Sequence, residues 1–221
     1  MNIHKVYAFL GVHFRRRRME VFSSFFSPTA TTRVVDLGGA PETWIGHDTK
    51  LRLTLVNLDT NCLKGHIPSV VADALACPFE DKNFDVVFSN SLIEHLSSEE
   101  NQRAFAAEVQ RLSRNGYFVQ TPNRWFPIEP HFLGLFVQFV PKRFRPGVVR
   151  WMTLWGWIAK PSRELCQRCC NEIRLVDARE LQLLFPDATI VRERFLGLTK
   201  SLIAVRTQTV DSALQAPNGT R

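Results

Sequence analysis

The sequence of 221 residues predicts an α/β fold that is built on an open, mostly parallel β-sheet. Three observations predict this fold. Short hydrophobic runs alternate with short connections, a glycine turn directly follows the first run, and a polar residue ends each of the first strands. The length suits one sizeable domain, and a composition of 45% hydrophobic and 22% charged residues is typical of a globular protein.

The first hydrophobic run leads directly into two glycines, in the sequence RVVDLGGAPETW. Val34 and Val35 are β-branched and favour a covered strand. Gly38 and Gly39 allow a sharp turn and the close approach of a ligand to the backbone. A plain strand and turn is the alternative interpretation, but at this position of a doubly wound sheet the turn is typical of a nucleotide-like ligand site.

Polar residues end the strands that follow, and Asp59 lies 23 residues after Asp36. An acidic side chain at that spacing is placed to accept the hydroxyls of a ribose, although a strand-end aspartate can also cap the next turn. The carboxyl ends of parallel strands line one crevice, so these polar residues are expected there together. The runs and their polar ends are 51–58 with Asp59, 69–72 with Asp73, and 84–89 with Asn90.

The rest of the chain predicts helices and further strands. Val6, Phe9 and Leu10 recur at helical spacing near the N-terminus. The connections after the first two strands are too short for long helices. The further predictions are a helix over 97–112 that Gly116 stops, a strand over 117–120, a helix that Asp177 caps and that runs to Phe185, and strands over 189–194 and 201–206.

The ordered series VVDLGG, LVNLD and VVADALACPFEDKNFDVVFSNSLIEHL resembles the class I S-adenosylmethionine-dependent methyltransferases of the small-molecule type. The resemblance covers residues 33–206. It implies a Rossmann-like, seven-stranded, mostly parallel sheet with strand order 3-2-1-4-5-7-6, and S-adenosyl-L-methionine as cofactor. One position departs from the family pattern, because Ala40 stands where the second glycine of the first motif is usual.

The resemblance also implies which residues hold the cofactor. Gly38 and Gly39 would line its methionine portion, and Asp36 would order the turn. Backbone near Asn90 would face the methionine amine. The remaining implied contacts are the ribose hydroxyls at Asp59, the adenine amino group at Asp73, and the adenine ring at the backbone of Ala74.

The chain is predicted to divide into an N-terminal helical segment (1–32), a methyltransferase domain (33–206) and a disordered tail (207–221). Residues 124–170 form an insertion after the fifth strand that is rich in aromatic, proline and basic residues. We expect a cap of short helices over the crevice. Its aromatic side chains favour either a small second core or a surface for a lipid-like acceptor.

Candidates for chemistry follow the fourth and fifth strands. His95 is the first candidate for a general base, since the unperturbed pKa of an imidazole lies near neutrality. Adjacent positions on a helix point in different directions, so Glu94 and His95 are not expected to act together. The candidates for contacting the acceptor are Asn123, Trp125, Glu129 and His131.

The net charge of +7 is unevenly distributed. Residues 1–33 carry +5 and residues 124–168 carry +6, so the remainder carries −4. This asymmetry favours an anionic partner, such as a membrane surface that the protein contacts peripherally. Five cysteines without a secretory signal favour a reducing, cytoplasmic compartment. Cys166, Cys169 and Cys170 lack a fourth ligand nearby, so no metal site is predicted.

The function predicted from the sequence is therefore methyl transfer to a small or lipid-like acceptor. One alternative is a nucleic-acid methyltransferase, which the basic charge favours. Another is a catalytically inactive interaction protein of the same fold, which the altered glycine turn favours. A dinucleotide-dependent dehydrogenase is disfavoured, because the Gly-x-Gly-x-x-Gly fingerprint is missing.

Overall fold

The computed structural model describes the backbone of residues 3–46, 51–63 and 66–208, and the side chains within these ranges except those of residues 3–13 and 62–63. The predicted N-terminal apolar face and the predicted disorder of residues 209–221 lie outside the described residues. The strands are β1 (Arg33–Leu37), β2 (Arg52–Asn57), β3 (Ser69–Val71), β4 (Phe84–Asn90), β5 (Ser113–Pro122), β6 (Ile128–Glu129), β7 (Gly134–Leu135), β8 (Thr189–Phe195) and β9 (Leu198–Thr207). The helices are α1 (Ile3–Phe26), α2 (Glu99–Leu112), α3 (Arg145–Met152), α4 (Leu154–Ala159), α5 (Arg163–Glu172) and α6 (Ala178–Leu184).

Seven strands form one sheet in the order β3-β2-β1-β4-β5-β9-β8. The first five of these strands are mutually parallel, and β9 runs antiparallel to both β5 and β8. With the separate hairpin of β6 and β7 left aside, this is the predicted order, so the predicted fold is confirmed. The carboxyl ends of β1 to β5 meet at one edge of the sheet, where open α/β sheets bind ligands.

Each face of the sheet is covered by a different layer. Alternation along β1 sends Val34 toward α1 and Val35 toward α2 and α6. On the first face, Phe22 of α1 packs edge-on against Phe88 and Phe118 of the central strands. Met19 and Phe22 of α1 therefore belong to the core on this face of the sheet.

The boundary between α2 and β5 differs from the prediction. Ser98 caps α2 by accepting a hydrogen bond from the Asn101 amide. The helix ends at Leu112, and Gly116 lies inside β5. A Cβ at Gly116 would lie 2.0 Å from the Arg206 carbonyl oxygen of β9. The prediction that Gly116 stops the helix was wrong, since the glycine instead permits close strand pairing.

The connections at the crevice edge are short, as expected. Single 3₁₀ turns, Pro41–Thr43 and Thr60–Leu63, follow β1 and β2. Asp177 caps α6 in a capping box with Glu180. That helix ends at Leu184, one residue before the predicted end.

The insertion after β5 begins with the β6–β7 hairpin and continues into α3, α4 and α5. Short helices were predicted throughout, but the first part of the insertion is a hairpin. These elements enclose a small core of their own, in which Cys166 and Cys170 of α5 pack with Phe132, Val137 and Val149. Both thiols are free and buried. No helix of the described residues is long and apolar enough to cross a membrane.

Candidate functional site

The turn after β1 requires glycine at two positions. Gly38 has a φ of +75°, and a Cβ there would lie 2.9 Å from Cδ1 of Leu92. A Cβ at Gly39 would lie 2.5 Å from Cγ of Asp36. Ala40 has a φ of −137° and a ψ of 147°, which is extended backbone open to any L-residue. The departure at Ala40 therefore leaves this turn unstrained.

The Asp36 carboxylate lies beneath the turn and is 1% exposed. Its Oδ2 accepts a hydrogen bond from Nε1 of Trp44 at 2.8 Å, whereas Oδ1 has no hydrogen-bond partner. Burial raises the pKa of Asp36 to about 7, against the lowering effect of the Trp44 bond. A cationic or N–H donor that reached the turn would satisfy Oδ1, and this fits the amine of an amino-acid-bearing ligand.

Asp59 and Asp73 follow neighbouring parallel strands, β2 and β3, and both are exposed. Oδ1 of Asp59 accepts hydrogen bonds from the backbone and side-chain nitrogens of Asn61 at 2.9 and 3.0 Å. Oδ1 of Asp73 accepts from the Leu75 amide at 2.9 Å. Each carboxylate therefore caps a turn, as the alternative interpretation proposed. Leu58, beside Asp59, is 67% exposed and offers an apolar surface at the same edge.

Two further cofactor candidates lie in different settings. Ala74 is 8% exposed and packs into the core below β3. Oδ1 of Asn90 accepts a hydrogen bond from Nη1 of Arg18 at 3.0 Å. The contacts of these residues with a cofactor stay predictions.

Arg18 of α1 is a residue that sequence reasoning missed. Its Nη2 lies 3.0 Å from Oε2 of Glu193, and the two side chains are only 11% and 4% exposed. No role was predicted for Arg18 from the sequence, where the N-terminal arginines counted only toward the basic charge. The signal was the spacing of Phe14, Arg18 and Phe22, which places this one arginine on the buried stripe of the helix.

A cavity of about 260 Å³ opens at the carboxyl ends of β4 and β5. Lys200 lies at its wall, with Nζ 3.6 Å from the ring centroid of Phe14. Burial and the charge of Arg18 together lower the pKa of Lys200 to about 8, against the raising effect of Glu193. The other lining residues include Ser91, Asn123, Phe126, Ile128, Leu133 and Phe195.

The structure separates the predicted acceptor residues. Asn123 lines this cavity, and its Nδ2 donates to the Thr199 carbonyl oxygen at 2.8 Å. Trp125 is 62% exposed and lies outside the cavity, with Nε1 donating to Asp177 at 3.3 Å. Its prediction as an acceptor contact has no support from this position.

Glu94, His95 and His131 come together in one cluster, with potential ligand atoms that all lie within 4.8 Å of one another. Glu94 and His95 were not expected to act together, but at the 3₁₀ turn Ile93–His95 one ligand atom of each lies within 4.8 Å of the other. His131 comes from the loop between β6 and β7, and its ring centroid lies 4.8 Å from that of His95. The insertion therefore supplies one member and the end of β4 the other two.

Residues outside the cluster hold Glu94 and His131 in place through hydrogen bonds. Oε2 of Glu94 accepts from the Thr121 hydroxyl at 3.0 Å, while its Oε1 is buried without a partner. Nδ1 of His131 lies 2.6 Å from Oε1 of Glu129. The other oxygen of Glu129 accepts from the Phe132 amide at 2.8 Å.

The environment shifts the pKa values of all three members. Burial raises the pKa of Glu94. Burial also lowers the pKa of His131, but the bond to Glu129 and the charges of Glu129 and Glu94 outweigh it, so that pKa is raised. His95 keeps an accessible edge, yet the loss of solvation and the charge of His131 lower its pKa to about 4. At neutral pH His95 is therefore an uncharged imidazole, and its role as general base stays a prediction.

Comparison with known proteins finds a family match over part of the chain. Residues 39–120 match the family described as "Methyltransferase domain". Among curated proteins, none matches the chain significantly. The region that matches begins at Gly39 and contains Asp59, Asp73 and the Glu94–His95 pair.

Solved structures share the fold at low sequence identity. An S-adenosylmethionine-dependent methyltransferase from Archaeoglobus fulgidus is 13% identical, with 88% of this chain and 94% of that chain covered and a TM-score of 0.54. The N-methyltransferase NodS from Bradyrhizobium japonicum is 13% identical, with 88% of this chain and 95% of that chain covered and a TM-score of 0.51. Phosphoethanolamine N-methyltransferase 2 from Haemonchus contortus, in complex with S-adenosyl-L-methionine, is 14% identical over 80% of this chain and 38% of that chain, with a TM-score of 0.54.

Proposed function

We propose that this chain, which carries a domain of the class I S-adenosylmethionine-dependent methyltransferase family, transfers a methyl group to a small or lipid-like acceptor. The observation that carries the acceptor class is the cavity at the ends of β4 and β5. Its walls are mainly apolar, with Arg18 and Lys200 as the basic groups. Such a site suits an amphipathic molecule with an anionic part.

The residues around the glycine turn fit the cofactor. The unpartnered Oδ1 of Asp36 suits the amine of the methionine portion, and the turn at Gly38 and Gly39 needs no change at Ala40. Asp59 would accept the ribose hydroxyls, and Asp73 the adenine amino group. When bound, S-adenosylmethionine supplies an activated methyl group on a positively charged sulfur.

The contribution of the protein to the reaction is positioning. Holding the acceptor in line with the methyl group, in a site that excludes water, supplies most of what such a transfer requires. Asn123 and Ser91 line the cavity and can orient the polar end of an acceptor. Phe126 and Leu133, from the insertion, cover its apolar part.

The surface of the insertion supports peripheral contact with an anionic membrane. Trp151, Trp157 and Phe144 are between 56% and 67% exposed. The guanidinium of Arg143 lies over the ring of Phe144 at 4.6 Å, and that of Arg150 over Trp151 at 5.1 Å. Exposed aromatic rings beside arginines are typical of interfacial segments.

A vesicle experiment tests this contact. We expect the protein to float with vesicles of anionic phospholipid and not with neutral ones, and the Trp151→Ser, Trp157→Ser double variant to bind anionic vesicles several-fold more weakly. Leu183→Ser, at another exposed apolar residue, is the control. Equal flotation of all three proteins would remove the membrane from the proposal.

Calorimetry tests the cofactor assignment. Asp59→Ala should weaken S-adenosylmethionine binding roughly 10- to 100-fold, because a hydrogen bond to a charged group contributes about 1.5–3 kcal/mol. Glu80→Ala, at an exposed acidic residue, should leave the affinity unchanged. Wild-type protein that bound no cofactor would instead favour the inactive interaction protein, and a steep salt dependence of RNA binding would favour a nucleic-acid substrate.

A further inference from the structure

We propose that Glu94, His95 and His131 bind a divalent transition-metal ion at the carboxyl end of β4. No metal site was predicted from the sequence, because the cysteines lack a fourth ligand and the histidines are far apart along the chain. The binding itself is independent of the proposed function. The use of the ion to hold an acceptor rests on that function.

The donor set is one carboxylate and two imidazoles, and their ligand atoms already lie within 4.8 Å of one another. Bonds of about 2.0–2.2 Å to a shared ion place ligand atoms about 3–4 Å apart, so small side-chain movements would complete the site. Imidazole and carboxylate together suit zinc and related divalent ions better than calcium or magnesium. Three protein ligands leave at least one coordination position open, as in catalytic zinc sites.

The surroundings of His131 are those of a metal ligand. Its Nδ1 is held at 2.6 Å by the Glu129 carboxylate, which makes Nε2 the nitrogen that would bind the ion. A carboxylate on the far nitrogen is the usual partner of a metal-binding histidine, since it fixes the tautomer and the ring orientation. Glu129 is 2% exposed and is itself held by the Phe132 amide.

Glu94 provides an independent observation. The residue is fully buried, and Thr121 satisfies one carboxylate oxygen while Oε1 has no partner. A buried carboxylate oxygen without a hydrogen bond is costly unless another group compensates for it. With Glu129, two buried carboxylates lie at this site, and a divalent cation is the compensating charge that suits them.

The position of the site links it to the acceptor cavity. Glu94 and His95 follow β4, Thr121 belongs to β5, and His131 lies in the insertion. Ile128, Pro130 and Leu133, around His131 in the sequence, line the cavity at the same sheet edge. The open coordination position would take an oxygen of the acceptor. Binding to the ion would make an acceptor hydroxyl more acidic.

The test uses the full chain without a histidine tag, freed of metal with a chelator and then titrated with ZnCl₂ in a calorimeter. We expect one zinc ion per chain. Glu94→Gln and His131→Ala should each weaken zinc binding at least ~100-fold. Glu129→Gln changes the carboxylate that holds His131 and not a ligand itself, so it should weaken zinc binding roughly 10- to 100-fold. His66→Ala, at an exposed histidine distant in sequence from the cluster, is the matched control and should bind zinc like the wild type.

Thermal unfolding separates ligand loss from misfolding. Glu94→Gln keeps an oxygen for the Thr121 hydroxyl, so in chelator it should melt at or above the wild-type temperature, while zinc should raise only the wild-type value. Replacement of zinc by Co²⁺ should give a visible absorption spectrum that His95→Ala alters. Zinc binding that is absent, or that survives Glu94→Gln and His131→Ala, would overturn the site.

The two proposals fail separately. If S-adenosylmethionine binds and zinc does not, the metal site is wrong and the methyltransferase proposal stands. If zinc binds through the three ligands while the cofactor does not, the metal site holds and the proposed function fails.

Discussion

The crevice edge has two halves that are built differently. The half at β1–β3 forms its carboxylate hydrogen bonds locally: Asp59 and Asp73 each accept from a residue two positions on, and Asp36 accepts from Trp44 eight positions on. The half at β4–β5 depends on distant segments. Arg18 reaches Glu193 across 175 positions of the sequence, and His131 joins Glu94 from the insertion. Local chemistry therefore forms the proposed cofactor half, and tertiary packing forms the proposed acceptor half.

The strongest way to break the acceptor half is Arg18→Ala. This change leaves Glu193 buried without its main partner, and removing one member of a buried pair costs about 3 kcal/mol. Lys200, at 3.8 Å from Glu193, remains and keeps the expected loss at the lower end of the range. Urea unfolding of the variant and of the wild type measures this loss of stability. Arg17→Ala, at the exposed neighbour on the same helix, should change the stability by less than about 0.5 kcal/mol.

The cofactor half has a pH-dependent stability that Asp36 dominates. Its folded-state pKa of about 7 lies above the unfolded value of 3.8, so the folded protein holds the proton more tightly. The stability contributed by this group is complete below about pH 4 and is lost as the pH rises to about 7, by roughly 2–4 kcal/mol. Asp36→Asn keeps the Trp44 bond and should remove this dependence, so it should stabilise the protein at pH 8 relative to wild type. Unfolding of both proteins from pH 4 to 8 measures the difference, and parallel curves would contradict the assignment.

Substitutions in the glycine turn test the cofactor half, with a smaller expected effect on stability. Gly39→Ala places a methyl group 2.5 Å from Cγ of Asp36 and should cost about 1–3 kcal/mol in stability, as overpacking usually does, and weaken the cofactor. The reverse change, Ala40→Gly, restores the usual family residue at an extended position. It should cost no more than about 1 kcal/mol, through the greater freedom of the unfolded chain. If Ala40→Gly instead strengthened S-adenosylmethionine binding markedly, Ala40 would be the weak point of the turn.

Sequence reasoning was most accurate where the signal is local. Valine runs, turn glycines and strand-end aspartates act through backbone conformation and short-range hydrogen bonds, and the seven-stranded order followed from them together with the family resemblance. The errors occurred where the role of a residue depends on a partner that is distant in the sequence. Gly116 serves a neighbouring strand rather than a helix end, and Glu94 and His95 meet His131, which comes from the insertion.

The sequence by itself determined the strands and the glycine turn, because these depend on patterns a few residues long, and the order of the sheet followed from the family resemblance of the ordered motifs. Only the tertiary structure decided that Arg18 pairs with Glu193, and that an insertion histidine meets a carboxylate after β4. The physical reason is that burial and charge pairing depend on which distant segments pack together. Spacing along the chain does not specify that packing.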